Sequence, residues 1–117
     1  MKKSRDFQDL PQRSIIGTIQ SKLERALTLH RQGKLADAKQ IYEEILQHAP
    51  SHFDALNLLG LIACQTKDPL RGEVLISKAI KIDPNAADAY NNRGNALRDL
   101  KRLKEAIADY DKAIALA

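Results

Sequence analysis

HAPSHFDALNLLG, residues 48–60, is echoed by IDPNAADAYNNRG, residues 82–94, so that Pro50 and Pro84 stand 34 positions apart. In both stretches a proline break leads into apolar residues at helical spacing and then a glycine: Leu56, Leu59 and Gly60 in one, Tyr90 and Gly94 in the other. Proline disfavours helical geometry in the residue before it, so the preceding helices end at Ala49 and Asp83. The next structural element starts just beyond each proline, and it starts twice in the same way.

Working outward, the three-and-four rhythm of one helix face recurs at Leu35, Ala38, Ile41, Tyr42, Ile45 and Leu46, and again at Leu103, Ala106, Ile107, Tyr110, Ala113 and Ile114. Short breaks separate these runs: Gln32-Gly33-Lys34, Ala49-Pro50-Ser51, Lys67-Asp68-Pro69, Asp83-Pro84-Asn85 and the region of Lys101-Arg102. Asp68 is placed to cap a new helix whose first turn accommodates Pro69. No strand-like alternation appears. The pattern predicts six helices, at 14–32, 35–48, 53–66, 69–82, 87–100 and 103–116. Paired helices repeating at the spacing of the two prolines cannot bury their apolar faces singly, and stacking the pairs buries them.

Composition agrees with an all-α protein. The 117 residues are 44% apolar and 29% charged, with five Gly and four Pro, which argues against disorder and against a β-sandwich. Cys64 is the only cysteine, so no internal disulfide forms, and a reducing, cytoplasmic setting is the expectation. Net charge is +4, yet residues 1–34 carry eight basic and three acidic side chains, leaving −1 for the rest. No apolar run follows Lys2 and Lys3, so neither a secretory signal nor a membrane span is expected.

The spaced motifs resemble the tetratricopeptide repeat (TPR) family, whose pattern combines a large residue, Leu-Gly, an aromatic, a small residue and a closing proline. Residues 53–86 supply Leu56, Leu59-Gly60, Ala63, Gly72, Ile76 and Pro84. Residues 87–117 supply Tyr90, Arg93-Gly94, Leu97, Ala106 and Tyr110. Residues 19–52 keep Ala26, Leu29, Ala38, Tyr42 and Pro50, with Lys22 and Arg25 at the large positions, as suits a solvated end. The resemblance implies a right-handed α-solenoid of three helix-turn-helix units. The corresponding divisions are a basic flexible tail at 1–13, units at 14–52, 53–86 and 87–117, and no capping helix after the third. Ala26, Gly60 and Gly94 would face Ala38, Gly72 and Ala106 where paired helices approach closely.

Catalytic chemistry finds little to stand on. His48 and His52 straddle Pro50 and are not a metal pair on one helix. Cys64 has no sequence-local base, the acidic residues read as solvated faces, and no glycine-rich phosphate loop is present. The chain is therefore expected to be a protein-interaction module rather than an enzyme, with no cofactor and no metal.

In repeats of this kind the first helix of each pair lines a concave groove. The stripe here is Gln20, Leu23, Leu27, His30 and Arg31 in the first unit, Asp54, Asn57, Leu61, Cys64 and Gln65 in the second, and Asp88, Asn91, Asn95, Arg98 and Asp99 in the third, with Leu58 and Asn92 at the edge. The leucines would make one half apolar and the asparagines would make the other a bed of amides able to hold a peptide backbone. The competing reading is that the leucines simply pack between helices.

Some TPR proteins grip acidic chaperone tails through Lys, Asn and Arg. The matching positions, Leu23, Leu27, Leu58, Asp88 and Asn92, lack that positive charge, so no such clamp is expected. LNLLG followed by AYNNRGNAL also resembles the amino-terminal repeats of bacterial O-linked N-acetylglucosamine transferase-like proteins. This offers a second role, substrate selection for a larger glycosyltransferase, although Leu58 interrupts the asparagine series that Asn92 would continue. Two further readings concern the tail. Lys2, Lys3, Arg5 and Arg13 would give salt-sensitive nucleic-acid binding, against which stands the lack of interleaved aromatics. Phe7 and Leu10 would fold back on the apolar end of the groove. Finally, Ile107 and Ile114 are left without a partner helix and mark a self-association face, for a homodimer or for a further unit of a longer protein.

Overall fold

A computed structural model describes the backbone of residues 2–117 and the side chains of residues 17–117. Six helices follow one another: α1 (Lys2–Arg31), α2 (Leu35–His48), α3 (Phe53–Gln65), α4 (Pro69–Ile82), α5 (Ala87–Asp99) and α6 (Leu103–Leu116). There is no strand among the described residues. Five of the helices fall within a residue of the limits read from the sequence. The first begins at Lys2 rather than at Ser14, and the tail side chains Lys2, Lys3, Arg5, Phe7, Leu10 and Arg13 lie outside the described residues.

The helices pair as α1–α2, α3–α4 and α5–α6, and each pair packs on the next to form an α-solenoid. Packing is shared across unit boundaries. Tyr42 and Ile45 of α2 join Leu56, Leu59 and Ile62 of α3 in one buried cluster. Ile76 and Ile80 of α4 join Ala89 and Tyr90 of α5 in another. Each large side chain so buried contributes about 1.5–3 kcal/mol. No unit encloses its own core, which is why the repeat is stated more than once.

The helix-to-helix turn inside each unit has one design. Gly33, Lys67 and Lys101, which occupy the same place in successive repeats, all take positive φ, at 77°, 69° and 64°. Each N–H bonds back to the carbonyl three residues earlier (His30, Cys64 and Arg98). The N–H of the following residue reaches the carbonyl five back (Leu29, Ala63 and Leu97), at 2.7–2.9 Å. This closing bond satisfies carbonyls that the end of a helix leaves free. Glycine adopts the conformation without strain, whereas a side chain costs about 1–2 kcal/mol. Lys67→Gly and Lys101→Gly should each raise the urea midpoint, by about 1 kcal/mol in stability; a fall would show that the lysine side chains hold the turns.

Helix starts are less uniform. Asp68 caps α4 as expected, its Oδ1 accepting from the Arg71 N–H at 3.3 Å with Pro69 in the first turn. His52 Nδ1 accepts from the Ala55 N–H at 3.1 Å and caps α3. The close approach inside the second unit is real: a Cβ on Gly60 would stand 3.1 Å from the Gly72 carbonyl oxygen, and one on Gly72 would stand 2.9 Å from the Gly60 carbonyl oxygen.

Candidate functional site

The first helices of successive units, α1, α3 and α5, are linked to one another by polar side chains. His30 Nε2 lies 2.9 Å from Gln65 Oε1, joining α1 to α3. Its Nδ1 lies 3.3 Å from the Tyr42 hydroxyl, with the two rings edge to face at 6.0 Å. Between α3 and α5, Asn57 Nδ2 donates to Asp88 Oδ2 and Asn57 Oδ1 accepts from Asn92 Nδ2, both at 3.3 Å. Within the third unit the Tyr110 hydroxyl donates to Asn95 Oδ1 at 2.6 Å.

These contacts sort the residues of the expected stripe. Asp54, Gln65, Asp88, Asn91, Arg31 and Arg98 are exposed. Leu23, Leu27, His30, Leu58, Leu61, Cys64, Asn92 and Asn95 are half-buried. Asn57 departs from the expectation: it is 1% exposed, and α5 engages both its amide nitrogen and its amide oxygen. Its equivalent Asn91, one repeat on, is exposed, with no helix over it among the described residues. Leu23 and Leu58 pack on the core of the first two units, as the competing reading had it. Leu27 and Leu61 are not part of that cluster and keep part of their surface. The bed of amides is thus partly committed: Asn92 has given one N–H and Asn95 its carbonyl, leaving the Asn92 carbonyl and the Asn95 N–H groups for a ligand.

Sequence reasoning also took Asp109 for a solvated residue. It is 6% exposed. Its two oxygens accept from Arg93 Nε at 2.6 Å and Nη2 at 2.8 Å, while Arg93 Nη1 donates to Ser77 Oγ of α4 at 3.3 Å. The guanidinium lies 5.6 Å from the centre of the Tyr90 ring. The hydrogen bond to Asp109 holds the Arg93 pKa above its ordinary value against the opposing effect of burial. No local signal announces this pair, since the two partners sit on different helices, several turns of chain apart.

Two further groups have shifted titrations. Burial, reinforced by the charge of Asp54, pushes the Tyr42 phenol up from 10.0 to about 12. A phenol raised in the folded state contributes stability that is intact below pH 10 and lost as pH climbs through 12. Alkaline titration should therefore show one tyrosine ionising late, and Tyr42→Phe should abolish that step; three tyrosines ionising together would contradict it. Burial also pushes the Cys64 thiol up, with Asp99 and Asp68 adding to the effect, which keeps it a thiol rather than a nucleophilic thiolate. Among the described residues no group of three or more His, Cys, Asp or Glu side chains is placed to hold a metal, and no helix is long and apolar enough to cross a membrane.

Comparison with known proteins agrees with this architecture. Tetratricopeptide repeat models match residues 29–90 and residues 87–117. The chain belongs to the tetratricopeptide repeat family. Among curated TPR relatives, anaphase-promoting complex subunit 7 of Homo sapiens is 30% identical over 89 residues, covering 76% of this chain and 16% of that protein. The probable UDP-N-acetylglucosamine–peptide N-acetylglucosaminyltransferase SPINDLY of Solanum lycopersicum is 34% identical over 87 residues, covering 74% of this chain and 9% of that protein. This TPR chain thus spans less than a fifth of either relative.

Among solved structures, a mutant O-GlcNAc transferase of Thermobaculum terrenum superposes with a TM-score of 0.86 at 27% identity, over 87% of this chain and 20% of that one. The first TPR of Spaghetti (RPAP3), bound to the HSP90 peptide SRMEEVD, gives 0.80 at 22% identity, over 84% and 78% of the two chains. At that identity the likeness speaks for the fold alone. TPR repeats are in general protein-interaction modules.

Proposed function

We propose that the chain captures an extended peptide along the inner sides of α1, α3 and α5. The observation that carries this reading is the half-exposed pair Leu27 and Leu61, left outside the core and followed along the stack by the amides of Asn92 and Asn95 and by Arg98. Because the helices are held by shared packing and by the His30–Gln65 and Asn57–Asn92 bridges, the surface is preformed, and little ordering is needed on binding. The leucines take an apolar side chain of the peptide. The amides hold polar main chain without regard to sequence.

The ligand is not an acidic chaperone tail. Leu23 packs into the core, and Asp88 presents a carboxylate already accepting from Asn57, so two of the positions that would need positive charge carry none.

Peptides selected from a phage-displayed library on the folded chain should carry an apolar cluster followed by a polar stretch. Leu61→Asp should weaken the best of them at least about tenfold, equivalent to 1.4 kcal/mol, with little change in melting temperature. Unchanged affinity would remove the groove from the account.

A second reading rests on the glycosyltransferase likenesses: the repeats would select protein substrates for a catalytic domain elsewhere in a larger protein. A nucleotide-sugar-binding domain in the same reading frame would support it, and a frame without one would remove it.

A further inference from the structure

The three turns that join the helices inside each unit follow one edge of the stack, and that edge is cationic. Residues 31–37, 65–71 and 99–105, which correspond under the repeat, carry seven basic and four acidic side chains. The turns between units, at 47–54 and 81–88, carry one basic and three acidic side chains, histidines aside. On the cationic edge Arg71 and Arg102 already face carboxylates, Glu43 for the first and Glu73 and Glu105 for the second. Lys34, Lys67, Lys101 and Lys104 are exposed and take part in no ion pair among the described residues.

Three of those lysines stand where the local fold disfavours them. Lys67 and Lys101 hold φ at 69° and 64°, a conformation that Gly33 adopts in the first unit without strain. Lys34 is the N-cap of α2 and makes no capping bond, whereas Asp68 at the same repeat position caps α4. The turns would be more stable without these side chains, and strain of this kind points to a role outside the fold. Beside the lysines stand the two exposed leucines of the described residues, Leu70 at 61% and Leu103 at 56%. Both lie in the first turns of their helices, α4 and α6. Helical side chains lean toward the helix N-terminus, which carries both leucines out over the edge.

We propose that this edge docks an acidic polypeptide segment with interspersed apolar residues, at a site separate from the inner groove. Successive turns stand about 10 Å apart, the usual separation of packed helices. An extended segment rising about 3.3 Å per residue therefore meets Lys34, Lys67 and Lys101 with a carboxylate at every third position, and its apolar residues meet Leu70 and Leu103. Asp37, Asp68 and Asp99 accompany the lysines turn by turn. They tolerate spaced carboxylates but oppose the continuous charge of a nucleic-acid backbone or an anionic membrane. No aromatic side chain lies in the three turns to stack on a base. The acidic edge of a second copy has the right sign, but contact between unlike edges does not close and would propagate into filaments.

The probe is a fluorescent peptide of repeated Glu-Leu-Ser, titrated with the full chain at about 20 mM salt, where charges act across the spacing of the turns. Lys67→Gly combined with Lys101→Gly should weaken binding roughly fivefold, as expected for two exposed ion pairs, while raising the melting temperature. Lys78→Ala combined with Lys81→Ala removes the same charge from the body of α4 and should change the affinity less than about twofold. No binding, no loss in the glycine pair, or an equal loss in the alanine pair would overturn the edge as the site. Equal binding of a Glu-Ser-Ser peptide would overturn the part given to the leucines. Stronger binding of oligothymidylate or of phosphatidylserine vesicles, lost in the glycine pair, would overturn the choice of partner, as would sedimentation of the chain alone as filaments that the glycine pair dissolves.

Discussion

Asp109→Ala should destabilise the protein by about 3 kcal/mol, the lower end of the range for removing one partner of a buried ion pair. Asp109 is 6% exposed and accepts two hydrogen bonds from one guanidinium. The lower end applies because the Arg93 side chain keeps 24% of its surface and can draw solvation from water once its partner is gone. The loss spreads beyond the α5–α6 pair, since Arg93 also donates to Ser77 of α4 and lies against the Tyr90 ring. The second and third units should therefore loosen together. Asp109→Asn, which keeps the shape but not the charge, should lose less. Urea unfolding followed by far-ultraviolet circular dichroism is sufficient to measure both, and a loss under about 1 kcal/mol for the alanine would place this pair with ordinary surface salt bridges.

Overpacking the α3–α4 crossing should have a comparable effect. A Cβ on Gly72 would stand 2.9 Å from the Gly60 carbonyl oxygen and collide with the Cys64 sulfur, and the carbonyl belongs to the α3 backbone, which gives way only if the two helices separate. Alanine in a helix gains about 1 kcal/mol over glycine from backbone entropy alone, but here the forced separation of two helices opposes that gain. Gly72→Val, with two further methyls, should cost about 3 kcal/mol, near the top of the usual range for overpacking. Gly94→Ala is the control. Its Cβ would meet the Tyr110 ring, at 2.7 Å from Cε1, and that ring is half-buried at the open end of the stack and has room to turn. The melting temperature should fall much further for Gly72→Val than for Gly94→Ala; the reverse order would show that the α5–α6 crossing, not α3–α4, is the tight one.

The legible and the illegible parts of this molecule divide along a physical line. Periodicity revealed whatever a single repeat determines: the helix limits around Pro50 and Pro84, the Asp68 cap, and the small residues Gly60 and Gly72 at a crossing. Contacts between units stayed hidden. Asn57 and Asn91 are the same residue at the same repeat position, one buried and one exposed, and only the presence of α5 separates them. Asp109 falls where the preceding unit has Leu75, so the repeat pattern carried no hint of a charge there. His30 and Gln65 meet across 35 residues, a spacing that has meaning only once the stack exists. Both halves of the candidate groove hid such contacts: Leu23 and Leu58 pack on the core, and Asn57, Asn92 and Asn95 are engaged with the protein itself.

The most direct test of the proposed groove is a residue-by-residue map of backbone amide shifts as the isotopically labelled chain is titrated with a display-selected peptide. The account predicts that the largest changes fall on Leu27, Leu61, Asn92, Asn95 and Arg98, along the inner sides of α1, α3 and α5. Changes concentrated instead at Leu103, Ile107 and Ile114 on α6 would contradict it, and would place recognition at the end of the stack rather than along its length.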